Sequence, residues 1–281
     1  MSRLLQQPLE LLEETAIRSE LEADAATQLK DLVILSSVDS TNNWLQARPG
    51  HERPGLAVLA ERQTAGRGRR GRHWVSPSGG NIYLSLCMKF ESGVGEIGCL
   101  PLVVALSASD ALARIGMDGH TIKWPNDLLF ERRKLGGCLV EVQGDAGGPC
   151  FAVMGIGINV CMPAAMHCAK RIDQPWTDVN THIPGVSRNR LAGCLLNALL
   201  LNLAQYAGEG FGPFLQRWKE RDELAGKEIE LRRGTGSING TACGISPRGG
   251  LMLQSCEGLN EYLAGEVTIK RGFNDGKGIR V

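Results

Sequence analysis

Apolar positions recur along the chain at two spacings, one that suits helices and one that suits short, half-buried strands. Leu9, Leu12, Ile17 and Leu21 fall at roughly helical intervals, predicting one or two short helices over residues 1–30. From Leu32 onward β-rich runs alternate with helical ones: 33–37, 56–61, 82–90, 121–124, 135–142 and 151–160 read as strands. Residues 101–114 read as a helix stopped at Gly116, a residue suited to a left-handed C-terminal cap. A second long helix follows Ser187, whose hydroxyl can cap it, and carries an apolar stripe of Leu191, Leu195, Leu196, Leu199 and Leu203. Phe214 and Trp218 mark one more helix. After Leu224-Ala225-Gly226 the texture changes to brief strands broken by glycines, over 228–231, 241–245, 251–253 and 266–269. The pattern predicts a helical extension over 1–30, an α+β unit over 31–222 and a small β-barrel over 223–281. No internal repeat is evident.

Composition narrows the class. Among 281 residues, 43% hydrophobic and 22% charged content are those of an ordinary globular protein. A net charge of +1 gives no global electrostatic pull toward nucleic acid or a membrane surface, so any basic patch has to be judged locally. The nine cysteines show no C-x-x-C pair and no histidines at ligand spacing, which argues against a disulfide framework or a zinc site. Reduced thiols and an N-terminus bearing Glu10, Glu13 and Glu14, without a signal-like apolar stretch, lead us to expect a cytoplasmic protein with no membrane association.

One local patch stands out. Gln63-Thr64-Ala65-Gly66-Arg67-Gly68-Arg69-Arg70-Gly71-Arg72-His73-Trp74 lies between two predicted strands. Glycines let its backbone approach a ligand, and guanidinium groups offer planar pairs of donors matched to phosphate oxygens. The same composition suits a solvated linker or an RGG-like nucleic-acid tract. Its place inside a compact domain favours a loop that closes over an anion. A second segment, Lys123-Trp124-Pro125-Asn126-Asp127, ends a strand in a proline turn carrying a cation, an amide and a carboxylate; it suits a nucleotide with Mg²⁺, or else an exposed turn above a buried tryptophan. Arg133-Lys134-Leu135-Gly136-Gly137-Cys138-Leu139-Val140-Glu141 sets a lysine before two glycines at the start of an apolar strand, a place that invites a ligand; taken alone, Glu131 to Lys134 reads as a polar hairpin turn. In Gly155-Ile156-Gly157-Ile158-Asn159, glycines interrupt a β-branched strand, the mark of a bulge or a close approach. Asp39-Ser40-Thr41-Asn42 begins a short helix, where an N-cap is the default reading and an anion or polar ring the alternative.

In this order, the segments together resemble the signature of biotin–protein ligases across most of residues 32–160, and the C-terminal β-rich stretch is similar to that family's small SH3-like domain. The resemblance implies an α+β fold with a mixed sheet and flanking helices, a ligase core like that of the class II aminoacyl synthetases. It implies ATP, biotin and Mg²⁺ as ligands and a biotin carboxyl carrier domain as partner. Ser40, Thr41 and Gln63 would contact the ureido ring or valerate of biotin, with backbone at Gly136 and Gly137 helping to hold the ring. Arg67 would lie near the biotin carboxylate and the α-phosphate, while Lys123 and Lys134 would face the reacting groups. Arg69, Arg70 and Asn126 would serve the nucleotide, Asp127 would support magnesium, Trp74 would cover the adenine after loop closure, and Asn159 would read an adenine edge.

Elementary chemistry agrees. A carboxylate attacking a phosphate brings two anions together, so cations must offset their repulsion. The acyl-adenylate formed is prone to hydrolysis, which favours a covering loop. No enzyme nucleophile is needed, and a packing role is expected for Cys138. Many bacterial members begin with a helix-turn-helix domain; the first motif here starts at Asp39, so specific DNA binding is not expected, while a homodimer is compatible. Lys270, followed by Arg271, stands where relatives can present arginine, which puts a nucleotide contact from the small domain in doubt. The nearest rival, a lipoate ligase or octanoyltransferase, lacks the arginine-rich loop and the small C-terminal domain; an RNA-binding protein using the 67–72 patch is the rival of another class.

Overall fold

The computed structural model describes residues 10–162, 172 and 174–270; Leu9 and Arg271 lie outside the described residues. Two short helices, α1 (Glu14–Arg18) and α2 (Ala23–Gln28), precede a sheet built from β1 (Asp31–Leu35), β2 (Leu56–Ala60), β3 (Ile82–Phe90), β4 (Thr121–Lys123), β5 (Asp127–Phe130), β6 (Arg133–Gly144) and β7 (Cys150–Ile158). Its strand order is β1-β2-β3-β7-β6-β5-β4. Only β1 and β2 run parallel; every other pair is antiparallel, so the sheet is mixed as expected.

Helices cover both faces of this sheet. The short α3 (Thr41–Gln46) packs Leu45 onto Leu56, Val58, Cys87 and Val153 on one side. On the other side α4 (Leu100–Arg114) and α6 (Arg188–Glu209) bury the main core, with Leu106, Leu112, Leu191, Leu195 and Leu199 among residues of negligible exposure. The predicted caps are present: Gly116 sits at φ +87 after α4, and Ser187 Oγ accepts from Arg190 N at the start of α6. By length and mean hydropathy (1.3) α6 could cross a membrane, but its leucines are packed in this core. The short α5 (Val179–His182) precedes it, and α7 (Phe214–Arg221) follows with Phe214 and Trp218 buried.

The N-terminal helices pack directly onto α6. Glu10 lies at the start of that helix, where its carboxylate accepts from Ser187 Oγ at 2.7 Å and from the Arg188 amide. Negative charge at a helix N-terminus is stabilised by the unpaired N–H groups there. Arg188, in turn, reaches inward to Glu61 Oε2 at 2.9 Å and to Asn81 O at 2.9 Å, and Glu61 Oε1 accepts from Leu12 N at 2.7 Å.

Two strands escaped the sequence reading. β5 has four residues, too few for a period to show, and the turn after it places Glu131 and Arg132 at φ 48 and 62. The polar hairpin turn is therefore real, but it ends at Arg132, and Lys134 already belongs to β6.

Beyond α7 a second, antiparallel sheet comprises β8 (Glu228–Arg233), β9 (Gly236–Ile245), β10 (Leu251–Ser255), β11 (Gly258–Tyr262) and β12 (Glu266–Ile269), ordered β11-β10-β9-β8-β12 as in an SH3-like unit. β11, with polar Asn260 and Glu261 and a glycine start, was the other missed strand. The sheets are joined where Trp124 Nε1 donates to Gly249 O at 3.0 Å.

The Arg188–Glu61 pair is almost fully removed from water, with side-chain exposures of 4% and 12%. Removing one partner strands a buried charge, so Glu61→Ala should lose about 3–5 kcal/mol of unfolding free energy, read from urea denaturation. A loss below about 1 kcal/mol would mean that water or a nearby group replaces the carboxylate.

Candidate functional site

A cleft of about 700 Å³ opens between α3, the 66–74 loop, the β4–β7 end of the large sheet and β12. Its floor owes its shape to missing side chains. A Cβ on Gly155 would lie 2.3 Å from Asn42 Oδ1, and one on Gly157 would lie 2.6 Å from the Trp74 indole. The glycines that interrupt β7 thus admit two side chains from distant segments.

Along the inner wall runs a polar chain. Gln63 Oε1 accepts from Thr41 N at 2.9 Å and lies 3.1 Å from Thr41 Oγ1, and Gln63 Nε2 donates to Ser76 Oγ at 3.1 Å. Ser85 Oγ is within 2.7 Å of Thr41 Oγ1 and 2.6 Å of Asn42 Oδ1. Ser40 occupies the N-cap position of α3, but its side chain makes no capping bond and lines the cleft instead. The N-cap reading holds by position only, which leaves that hydroxyl available.

The arginine loop is a folded structure. Gly68 N donates to Arg72 O at 2.8 Å, Trp74 N donates to Gly66 O at 2.9 Å, and Arg70 and Gly71 take φ 56 and 73. Its side chains reach four different places. Arg67 pairs with Glu141 on β6, with Nη2 2.8 Å from Oε1, and also donates to Asn43 Oδ1 at 2.7 Å. Arg69 Nη1 donates to Asn126 Oδ1 at 3.2 Å, and burial lowers the Arg69 pKa, with Arg70 adding to the effect. Arg70 and Arg72 both meet Glu266 on β12, at 3.6 and 2.6 Å. The small sheet therefore holds the loop through one carboxylate.

Opposite the loop, Lys134 Nζ donates to Asp127 Oδ1 at 2.7 Å. Lys123, on β4, lines the same cleft and has no ion pair among the described residues; burial pushes its pKa down against the opposing pull of Asp127. A half-buried cation that lacks a paired anion among the described residues is poised to accept one. Asn126 is fixed at both ends of its amide, since Nδ2 donates to Cys138 O at 2.6 Å. Trp74 lies against Gly157 with its Nε1 buried and without a partner, and Lys134 Nζ stands 5.5 Å from its ring centroid. Cys138 is buried and its thiol pKa is pushed up to about 12 by desolvation, which suits packing rather than nucleophilic work.

Most residues singled out from the sequence line this cleft; Arg70 and Gly136 are outside its lining. Gly136 is required for another reason, because a Cβ there would lie 2.8 Å from Gly157 O, whereas Gly137 faces the cleft. Asn159 lines it too, yet its Nδ2 already donates to Thr177 O at 3.1 Å and Lys134 O at 3.4 Å, leaving only Oδ1 for an adenine. Asn43, Ser85, Glu141, Trp176 and Glu266 were not singled out. Glu141 closes the segment that begins at Arg133 and is the one the local pattern could have exposed; Ser85 and Trp176 sit in stretches with no distinguishing spacing. Among the described residues no group of three or more His, Cys, Asp and Glu side chains could hold a metal ion. Asp127 remains, and one carboxylate completed by phosphate oxygens and water matches the habit of Mg²⁺.

Comparison with known proteins matches residues 34–159 to the model of the Biotin/lipoate A/B protein ligase family and residues 225–270 to that of the Biotin protein ligase C terminal domain. The bifunctional ligase/repressor BirA of Salmonella typhimurium is 36% identical over 266 residues, covering 95% of this chain and 81% of the relative. The biotin–[acetyl-CoA-carboxylase] ligase of Paracoccus denitrificans is 34% identical over 244 residues, 83% of this chain and 98% of the relative. Among solved structures, biotin protein ligase from Aquifex aeolicus in complex with biotin and ATP superimposes with a TM-score of 0.73 at 32% identity, over 87% of this chain and 100% of the other.

Because Glu266 holds two loop arginines, Glu266→Ala should free the 69–72 segment. Exposed ion pairs contribute about 0.2–1 kcal/mol each, so with both lost tryptic cleavage within the loop should rise about 2- to 30-fold. Unchanged cleavage would show that the backbone bonds at Gly66 and Gly68 suffice.

Proposed function

The chain belongs to the biotin protein ligase family, and from that premise we propose how its residues divide the work of the ATP-dependent attachment of biotin to a carrier protein. In the first half-reaction an oxygen of the biotin carboxylate attacks the α-phosphorus of ATP and pyrophosphate leaves, giving biotinyl-AMP. In the second, a lysine amine of the carrier attacks the acyl carbon, loses a proton and expels AMP. The acceptor proposed is the carboxyl carrier domain of a biotin-dependent carboxylase.

The observation that carries the assignment of roles is the convergence of Arg67, Lys123 and Lys134 on one cleft beside a polar chain of neutral groups. Ser40, Thr41 and Gln63 supply hydroxyl and amide groups for the ureido ring, and the exposed backbone of Gly137 flanks it. Arg67, Lys123 and Lys134 offset the repulsion between carboxylate and triphosphate and stabilise charge on the in-line transition state. Arg69 and Arg70 steady the nucleotide side of the loop, Asn126 orients Arg69, Trp74 offers a flat apolar surface for adenine, and Asn159 Oδ1 can accept from its exocyclic amine. Asp127 would hold magnesium, which when bound neutralises phosphate charge. Lys134 would leave Asp127 for the reacting oxygens as ligands enter, exchanging one anionic partner for another.

Residues 31–222 are proposed as the catalytic domain, 223–281 as an accessory domain whose β12 holds the loop, and 1–30 as an extension whose helices α1 and α2 brace α6. Free thiols at the described cysteines accord with a cytoplasmic setting, and sequence-specific DNA binding is not part of this proposal.

Pyrophosphate exchange run in parallel with biotin, lipoate and octanoate tests the activity. Exchange with biotin alone is expected, followed by labelling of a carrier domain; exchange with lipoate and not biotin would overturn the reading. Lys134→Ala should lower adenylation by about 10²-fold or more, the scale for removal of one preorganised donor. An unchanged rate would return Lys134 to a purely structural pairing with Asp127. Arg69→Gly removes the loop's bond to Asn126. Loss of a charged hydrogen bond costs about 1.5–3 kcal/mol, or about 10- to 150-fold in the closed population. This variant should still form biotinyl-AMP but release it early, biotinylating a bystander protein more than the parent enzyme does. Normal adenylate formation without added bystander labelling would exclude a lid role.

A further inference from the structure

We propose that Glu141 is a positioning residue that presents one edge of the Arg67 guanidinium to the reacting anions; this rests on the role of Arg67 proposed above. A guanidinium has two edges able to grip a carboxylate or phosphate with two parallel hydrogen bonds, one made by the two terminal nitrogens and one by Nε with the nearer terminal nitrogen. Glu141 takes the first edge, with Oε1 2.8 Å from Nη2 and Oε2 3.3 Å from Nη1. Asn43 Oδ1 takes a further proton of Nη1 at 2.7 Å. Among the described residues nothing bonds to Nε, so the second edge of this cleft-lining side chain stands open.

Glu141 is itself held. Asn42 Nδ2 donates to its Oε2 at 2.9 Å and to Leu139 O at 3.3 Å, while Asn42 Oδ1 is fixed by Ser85 Oγ. The Asn42 amide lies where a Cβ on Gly155 would be, so the strand glycine makes room for the support. Hydrogen bonds thus run without a break from Gln63 through Thr41, Ser85, Asn42 and Glu141 to Arg67. That chain links the neutral groups proposed for the biotin ring to the cation proposed for its carboxylate. A carboxylate beside an anion-binding arginine weakens the local positive field, so its contribution has to be orientation: a half-exposed arginine held at one edge loses little further freedom when the other edge binds.

The test is a double-mutant cycle on pyrophosphate exchange with biotin and ATP, using Arg67→Ala, Glu141→Ala and the two together, with Glu141→Gln as the isosteric variant and thermal unfolding of each. If Glu141 acts through Arg67, Glu141→Ala lowers kcat about 10- to 100-fold. The double variant is then no slower than Arg67→Ala alone. Glu141→Gln, which keeps one acceptor oxygen, is expected to fall between parent and Glu141→Ala with parental thermal stability. Should Arg67→Ala leave exchange unchanged, the role of Arg67 fails first and this proposal with it. Should Arg67→Ala impair exchange while Glu141→Ala and Glu141→Gln do not, or should the two losses multiply, positioning by Glu141 is overturned and the role of Arg67 stands. An increase in kcat for Glu141→Ala also overturns it, because the carboxylate would then be restraining Arg67 instead of presenting it.

Discussion

Cations crowded around one cleft repel each other, and the structure answers that repulsion with carboxylates brought from separate strands. Asp127 from β5 meets Lys134, Glu141 from β6 meets Arg67, and Glu266 from β12 meets Arg70 and Arg72. Among the described residues Lys123 and Arg69 have no such carboxylate partner, and burial lowers the pKa of both. Carboxylates belonging to the fold itself thus balance most of the positive charge that lines the cleft.

The neutral part of the cleft follows a different logic. Around Thr41, Gln63 and Ser85 short neutral groups hydrogen-bond to one another and to the backbone, which fixes rotamers without bringing in charge. Both regions depend on β7. Its small residues at 155 and 157 let Asn42 and Trp74 approach the sheet, whereas its apolar positions, Met154, Ile156 and Ile158, bury into the core. One strand therefore serves the core and the site at alternate positions.

This division explains what the sequence made legible. Elements with long periodic patterns, such as α4, α6 and β3, were recognisable because burial on one face dictates residue type every second or every third to fourth position. The short β5 and the polar β11 have no such stripe and depend on their neighbours for register. In the site, residues inside glycine- and charge-rich segments announced themselves by composition. Ser85, Trp176 and Glu266 did not, since a lone hydroxyl, aromatic ring or carboxylate gains its meaning only from what the fold sets across from it. Gly136 was noticed for its motif, but it is needed for strand-to-strand clearance, a steric demand that sequence alone does not separate from ligand approach.

The clamp of Glu10 on the start of α6 also bears on how the molecule is made. The bonds from Glu10 close against Ser187 and Arg188 at the start of α6, 177 and 178 residues later, although Leu12 meets Glu61 only 49 residues on. A ribosome releasing the protein from its N-terminus must therefore emit α6 before the first helices have a surface to settle on, and contacts of such separation form late. Until then α1, α2 and the buried faces awaiting them lack their partners. The interval between synthesis of β1 and synthesis of α6 is thus the period in which the nascent chain most needs protection from association with its neighbours.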